Sequence, residues 1–168
     1  IMAEEPYCSL PPSARTSPGT SVTELDGVDV AGAFNAFIHS PFKEDQDADR
    51  NDTSLTMQVH LVEGSKDLKV LLFGDIAYKT LRLIFDKTKQ RGREKYLEWD
   101  ILLAPHHCSK AAMYVDDVVK QDILDDFRKY KRSEPHVVAS CHHTFDKGDL
   151  PPQRKARNRY EEVVVKTD

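Results

Sequence analysis

Lys69-Val70-Leu71-Leu72-Phe73-Gly74-Asp75, and further along Trp99-Asp100-Ile101-Leu102-Leu103-Ala104-Pro105-His106-His107-Cys108-Ser109-Lys110, are the stretches that decide how this chain folds. Each opens on a short, continuous apolar run, the signature of a strand buried on both faces in a parallel arrangement. Each run stops abruptly, at Gly74-Asp75 in one case and at Pro105-His106-His107 in the other. Parallel neighbours in one sheet would bring these tips together, with rigid backbone behind and side chains free to project. A carboxylate and neutral imidazoles are the donors that Zn²⁺, Mn²⁺ or Fe²⁺ take, so Asp75, His106 and His107 are candidate metal ligands.

Working outward, Ile76–Arg91 has apolar residues at helical spacing and is closed by Gly92. Ser54–Leu61 alternates Leu55, Met57, Val59 and Leu61 with polar residues, as a half-buried strand does, and 63–67 reads as a hairpin turn. Val28–Phe42 is a strand or short buried segment, and 43–53 is a surface loop. Asp116–Tyr130 predicts a second helix, with Lys129, Lys131 and Arg132 at its C-terminal end. Pro135–Ser140 predicts a fourth strand. Residues 1–27, rich in Pro and Ser, read as an irregular lead-in with one short strand over 21–25. Residues 146–168 read as a polar, basic loop and terminal strand. Strands alternating with helices make an α/β fold in a single domain spanning 1–168, with its core over 28–145.

The chain has 168 residues, 39% of them hydrophobic and 31% charged, which suffices for one sizeable core. Its 24 basic and 28 acidic residues are interspersed, so no global field draws it to nucleic acid or membrane, and a polyanionic substrate would need a local basic site. Arg154, Lys155, Arg157 and Arg159 are a charge run that reads first as solvated surface. No apolar run approaches the roughly 20 residues of a membrane span, and the first residues lack the pattern of a secretory signal; the expectation is a soluble, cytoplasmic protein. Cys8, Cys108 and Cys141, odd in number and widely spaced, point to free thiols rather than a disulfide framework or zinc knuckle. His39 and His60 read as structural histidines, and the pair His142-His143 as surface or structural.

In order along the chain, Asn51-Asp52-Thr53-Ser54-Leu55, LLFGD at 71–75 and WDILLAPHHCSK at 99–110 resemble the second half of the metallo-β-lactamase superfamily. The likeness covers roughly residues 20–143 and is nearest to the hydrolase domains of bacterial competence (DNA-uptake) proteins and to phosphorylcholine-esterase-like members. The resemblance implies half of an αββα sandwich, a mixed sheet with helices on one face. It implies a hydrolase using two Zn²⁺ or Mn²⁺ ions, with phosphodiesters as the preferred substrates, nuclease-like in reaction. By the same resemblance Asp75 bridges the metals, His107 binds one, and His106 faces substrate. Ser109 matches the serine after the pair, while Asn51 and Ser54 match residues that brace the aspartate loop. Cys108 departs from the family's usual Gly. The family's His-x-His-x-Asp-His signature occurs nowhere in the chain. The resemblance therefore assigns the missing ligands to the N-terminal half of the same fold or to another chain. Two other readings share these features: lactone or thioester hydrolysis on the same scaffold, and a non-catalytic interaction module.

Overall fold

The computed structural model describes residue 11 and residues 15–41, 53–141 and 150–165. Asn51, His142, His143, Cys8 and nearly all of the loop expected over 43–53 lie outside the described residues.

The described residues form a mixed α/β structure built on a six-stranded sheet in the order β1-β4-β5-β6-β7-β10. Its strands are β1 (Ser21–Val22), β4 (Phe34–Ser40), β5 (Thr56–Glu63), β6 (Lys66–Leu72), β7 (Trp99–Leu103) and β10 (Lys131–Val138). Two small hairpins accompany it, β2 (Glu24–Leu25) with β3 (Val28–Asp29) and β8 (Tyr114–Val115) with β9 (Val118–Val119). Pairing is antiparallel from β1 through β6, then parallel between β6 and β7 and between β7 and β10. The two apolar runs singled out above are thus parallel neighbours, with Leu71 opposite Leu102 and Leu72 opposite Leu103.

Among the described residues there are three longer helices: α1 (Tyr78–Gln90), α2 (Gln121–Tyr130) and α3 (Arg154–Val164). α1 buries Leu81, Ile84 and Phe85, α2 buries Ile123, Leu124 and Phe127, and α3 buries Ala156, Tyr160 and Val163. All of these join Leu71, Phe73, Trp99 and Leu102 in one apolar cluster between sheet and helices. Aromatic rings tie it together: Phe73, Phe85 and Phe127 sit with centroids 5.6–5.9 Å apart. The Trp99 indole N–H donates to the Phe127 carbonyl at 3.1 Å, so the largest buried side chain carries no unpaired polar atom. Buried Asp126 on α2 forms ion pairs with Arg82 and Lys89 of α1, at 2.6 Å each. Its single negative charge is thereby met by two cations, as burial demands.

The opposite sheet face also carries apolar rows. Ile38, Met57, Leu72, Leu103 and Val138 follow one another across the strands, as do Ala36, Val59, Val70 and Ile101. None of these belongs to the central cluster. Ala36 and Ile38 at one edge are buried; Met57, Val59, Val70, Leu72, Ile101 and Leu103 are half-buried, and Val138 is 49% exposed.

The structure departs from the sequence expectations at several places, among them the fourth strand, expected over Pro135–Ser140 and found at Lys131–Val138. The helix expected over Asp116–Tyr130 begins only at Gln121, because Asp116 and Asp117 both take positive φ and turn the β8–β9 hairpin. The polar loop and terminal strand expected over 146–168 are replaced, within the described residues, by α3. There Ala156, Tyr160 and Val163 recur at helical spacing and face the core, while the basic residues line the outer side.

Candidate metal centre

Asp75 and His106-His107 sit just past the ends of adjacent parallel strands, as their sequence position predicts. The Asp75 Oδ1 lies 3.1 Å from the His107 Nε2, with both side chains a little under half exposed and open to solvent. Backbone holds both loops. Gly74 takes φ +60, and its carbonyl accepts the His106 N–H at 2.8 Å, joining one strand tip to the other. The Asp75 N–H donates to the Ser54 Oγ at 3.3 Å. Ser54 therefore does brace the aspartate loop.

Pro105–Cys108 is a single helical turn of unusual hand, with φ of +50 at His106, +55 at His107 and +65 at Cys108. Side-chain-bearing residues rarely take this conformation, and three in succession need outside support. Cys108 stands at a position where glycine would be at ease. Its thiol is buried at 4% exposure, and that burial pushes its pKa up to about 11. At neutral pH it is a protonated thiol that packs, rather than a thiolate ligand.

The His107 ring is fixed from behind. Its Nδ1 lies 2.8 Å from the Ser140 carbonyl oxygen and 3.1 Å from the Ser140 Oγ. A carbonyl oxygen only accepts, so Nδ1 carries the proton and donates. The Nε2 is thereby left to face the Asp75 carboxylate, and two lone pairs 3.1 Å apart are compatible only with a proton or cation between them. Back-bonding of this kind is how metal-binding histidines are held in tautomer and orientation. The donor set fits a divalent cation at Asp75 Oδ1 and His107 Nε2. His106 is placed differently: its Nδ1 is buried with no hydrogen-bond partner among the described residues.

Among the described residues no group of three or more His, Cys, Asp or Glu side chains is positioned to hold a metal, so Asp75 and His107 face each other as a pair without a third such donor. His39 is a structural histidine: its Nε2 donates to the Tyr96 carbonyl at 3.0 Å, and burial lowers its pKa to about 4. His60 pairs with Asp67 at 3.1 Å, away from the strand tips. The basic run of α3 is engaged at least in part, Arg157 with Glu161 and Arg159 with Glu162.

Sequence reasoning missed Gln153. Its backbone N–H donates to the Cys108 carbonyl at 3.1 Å, and its Oε1 accepts the Lys110 N–H at 2.5 Å and the Ser109 hydroxyl at 3.4 Å. Nothing in the sequence links a polar residue after Pro151-Pro152 to a turn more than forty positions earlier. No protein-family model, curated protein or solved structure matches the chain.

Proposed function

We propose that this chain is the C-terminal half of a metallo-β-lactamase-like αββα sandwich. In this reading it contributes Asp75 and His107 to the metal site of a cytoplasmic, metal-dependent hydrolase. The substrate class is a phosphodiester, cleaved in nuclease-like fashion, and the remaining ligands of a two-metal site come from outside this chain. The observation that carries the reading is the Asp75–His107 pair at 3.1 Å, with the imidazole locked by Ser140 so that Nε2 faces the carboxylate.

Zn²⁺ or Mn²⁺ bound there would act as a Lewis acid toward the phosphoryl group. The chain's own contribution is orientation. Ser140 sets the His107 tautomer, Ser54 and Gly74 set the Asp75 loop, and His106 stands beside the pair on the same turn, where it would meet substrate. The apolar rows on the second sheet face support the half-sandwich, since a layer packed there would bury them. Those same rows favour a second reading, a non-catalytic module that uses this face to bind another protein.

The test is calorimetric titration of the chain with Zn²⁺ and Mn²⁺, alongside hydrolysis of an aryl phosphodiester. Expected are weak metal binding, its loss in both Asp75→Ala and His107→Ala, and no turnover until a His-x-His-x-Asp-His segment completes the site. Metal binding untouched by either substitution sinks the metal centre; robust metal-dependent turnover by the chain alone sinks the half-site.

A further inference from the structure

The left-handed turn that presents His107 is anchored at both ends. At its entry the His106 N–H is held by the Gly74 carbonyl. At its exit one residue holds three in a row: Gln153 takes the Cys108 carbonyl with its backbone N–H, and the Ser109 hydroxyl and Lys110 N–H with its Oε1. Gln153 is 9% exposed and immediately precedes α3, whose Ala156, Tyr160 and Val163 are locked into the core. The exit of the turn is thus tied to a rigid element.

We propose that Gln153 is a positioning residue for His107, fixing the left-handed turn so that the imidazole is aimed at Asp75. Its functional meaning rests on the metal-centre reading above, whereas its geometric effect does not. Without the Oε1, the Lys110 N–H and the Ser109 hydroxyl lose a shared buried acceptor, and positive φ at three consecutive side-chain-bearing residues loses its support at one end. The turn then relaxes toward right-handed backbone, and His107 leaves the Ser140 carbonyl. Gln153→Glu keeps an acceptor at the same reach, while Gln153→Met keeps length and apolar bulk without one.

Two measurements on the 168-residue chain test this, at a temperature where each variant is folded. The first is the ring-nitrogen NMR spectrum of His107 without metal. Expected is one ring state with Nδ1 protonated in the native chain and in Gln153→Glu, and signals averaged between tautomers in Gln153→Met. The second is calorimetric Zn²⁺ affinity, which is expected to fall by roughly 10-fold or more in Gln153→Met and to return in Gln153→Glu, as is usual when support behind a metal ligand is lost. Should Gln153→Met fail to fold, Gln153→Asn, which withdraws the acceptor by one methylene, decides the same two readouts. A folded variant without the acceptor that keeps the native ring state and native Zn²⁺ affinity overturns the proposal. Zn²⁺ affinity unchanged in Asp75→Ala and His107→Ala would instead overturn the metal centre, and the ring-nitrogen comparison would still decide the role of Gln153.

Discussion

Gly74→Ala is the sharpest probe of how the strand tips are built. At φ +60 any side-chain-bearing residue costs about 1–2 kcal/mol. A Cβ there would also lie 2.9 Å from the Ser54 Cβ, 3.4 Å from its Oγ and 3.5 Å from the Leu55 carbonyl oxygen. Ser54 has little room to retreat, since its carbonyl accepts the Ser40 hydroxyl at 3.0 Å and its Oγ accepts the Asp75 N–H at 3.3 Å. The forced shift adds about 1–3 kcal/mol, as overpacking usually does. Gly74→Ala is therefore expected to destabilise by roughly 2–5 kcal/mol, a large share of a stability of about 5–15 kcal/mol. Gly92 is the internal control: φ is +62, yet no atom lies within 4 Å of the Cβ it lacks, so Gly92→Ala should cost only the conformational part, about 1–2 kcal/mol. Urea unfolding followed by circular dichroism measures both, and adding Ser54→Gly to Gly74→Ala should restore part of the difference through a double-mutant cycle. Equal losses in the two alanine variants, with no coupling to Ser54, would refute the close approach.

Three further outcomes are expected. His39, whose pKa burial lowers from 6.5 to about 4, must be charged when the chain unfolds in acid. The unfolded state then binds the extra proton, so stability is full above pH 6.5, falls as the pH drops toward 4 by on the order of 3 kcal/mol, and falls no further on this account below that. His39→Gln should flatten that slope in urea titrations across the window, and an unchanged slope refutes it. Of Cys108 and Cys141, the exposed Cys141 should react with a maleimide at least ten times faster than buried Cys108, whose thiol pKa of about 11 withholds the thiolate; equal rates by peptide mass mapping would contradict the packing of the turn. Finally, Zn²⁺ binding should be lost in Asp75→Ala with thermal stability nearly unchanged, because an exposed carboxylate–imidazole pair contributes about 1 kcal/mol at most.

What the sequence reveals and what it hides follow from range. The strands at KVLLF and WDILL are legible because apolar residues fill both the core face and the half-buried second face, and their parallel pairing then carries Asp75 to His107. The β8–β9 hairpin is hidden because its turn is Asp116-Asp117 rather than the Asn-Gly or Asp-Gly pair that announces such turns. The start of β10 is hidden for a different reason. Lys131 and Arg132 look like the charged end of a helix, yet Arg132 binds Asp67 and Asp100 at 2.8 and 2.9 Å, and the Lys131 Nζ donates to the Val163 and Val165 carbonyls at 2.8 and 2.9 Å. These partners, all at least 32 positions away in sequence, turn apparent surface charge into strand. α3 shows only a narrow apolar stripe among arginines, so its helical period is weak until the core it meets is known.

The energetics of the His106–Cys108 turn argue that its shape is kept for something other than stability. Left-handed backbone at three residues costs roughly 3–6 kcal/mol, with histidine among the more tolerant types. The Asp75–His107 pair that the turn creates is close to half exposed and returns about 1 kcal/mol at most. The supporting bonds from Gly74, Ser140 and Gln153 are worth about 1 kcal/mol each, and an ordinary right-handed loop could form others like them. A sequence selected for stability alone would place glycine at one or more of these three positions, as it does at Gly64 and Gly92, where φ is +60 and +62. Strain held in this way by bonds from three separate segments is typical of positions where a side chain must be presented in one direction. Here that side chain is His107, whose Nε2 meets the Asp75 carboxylate at 3.1 Å.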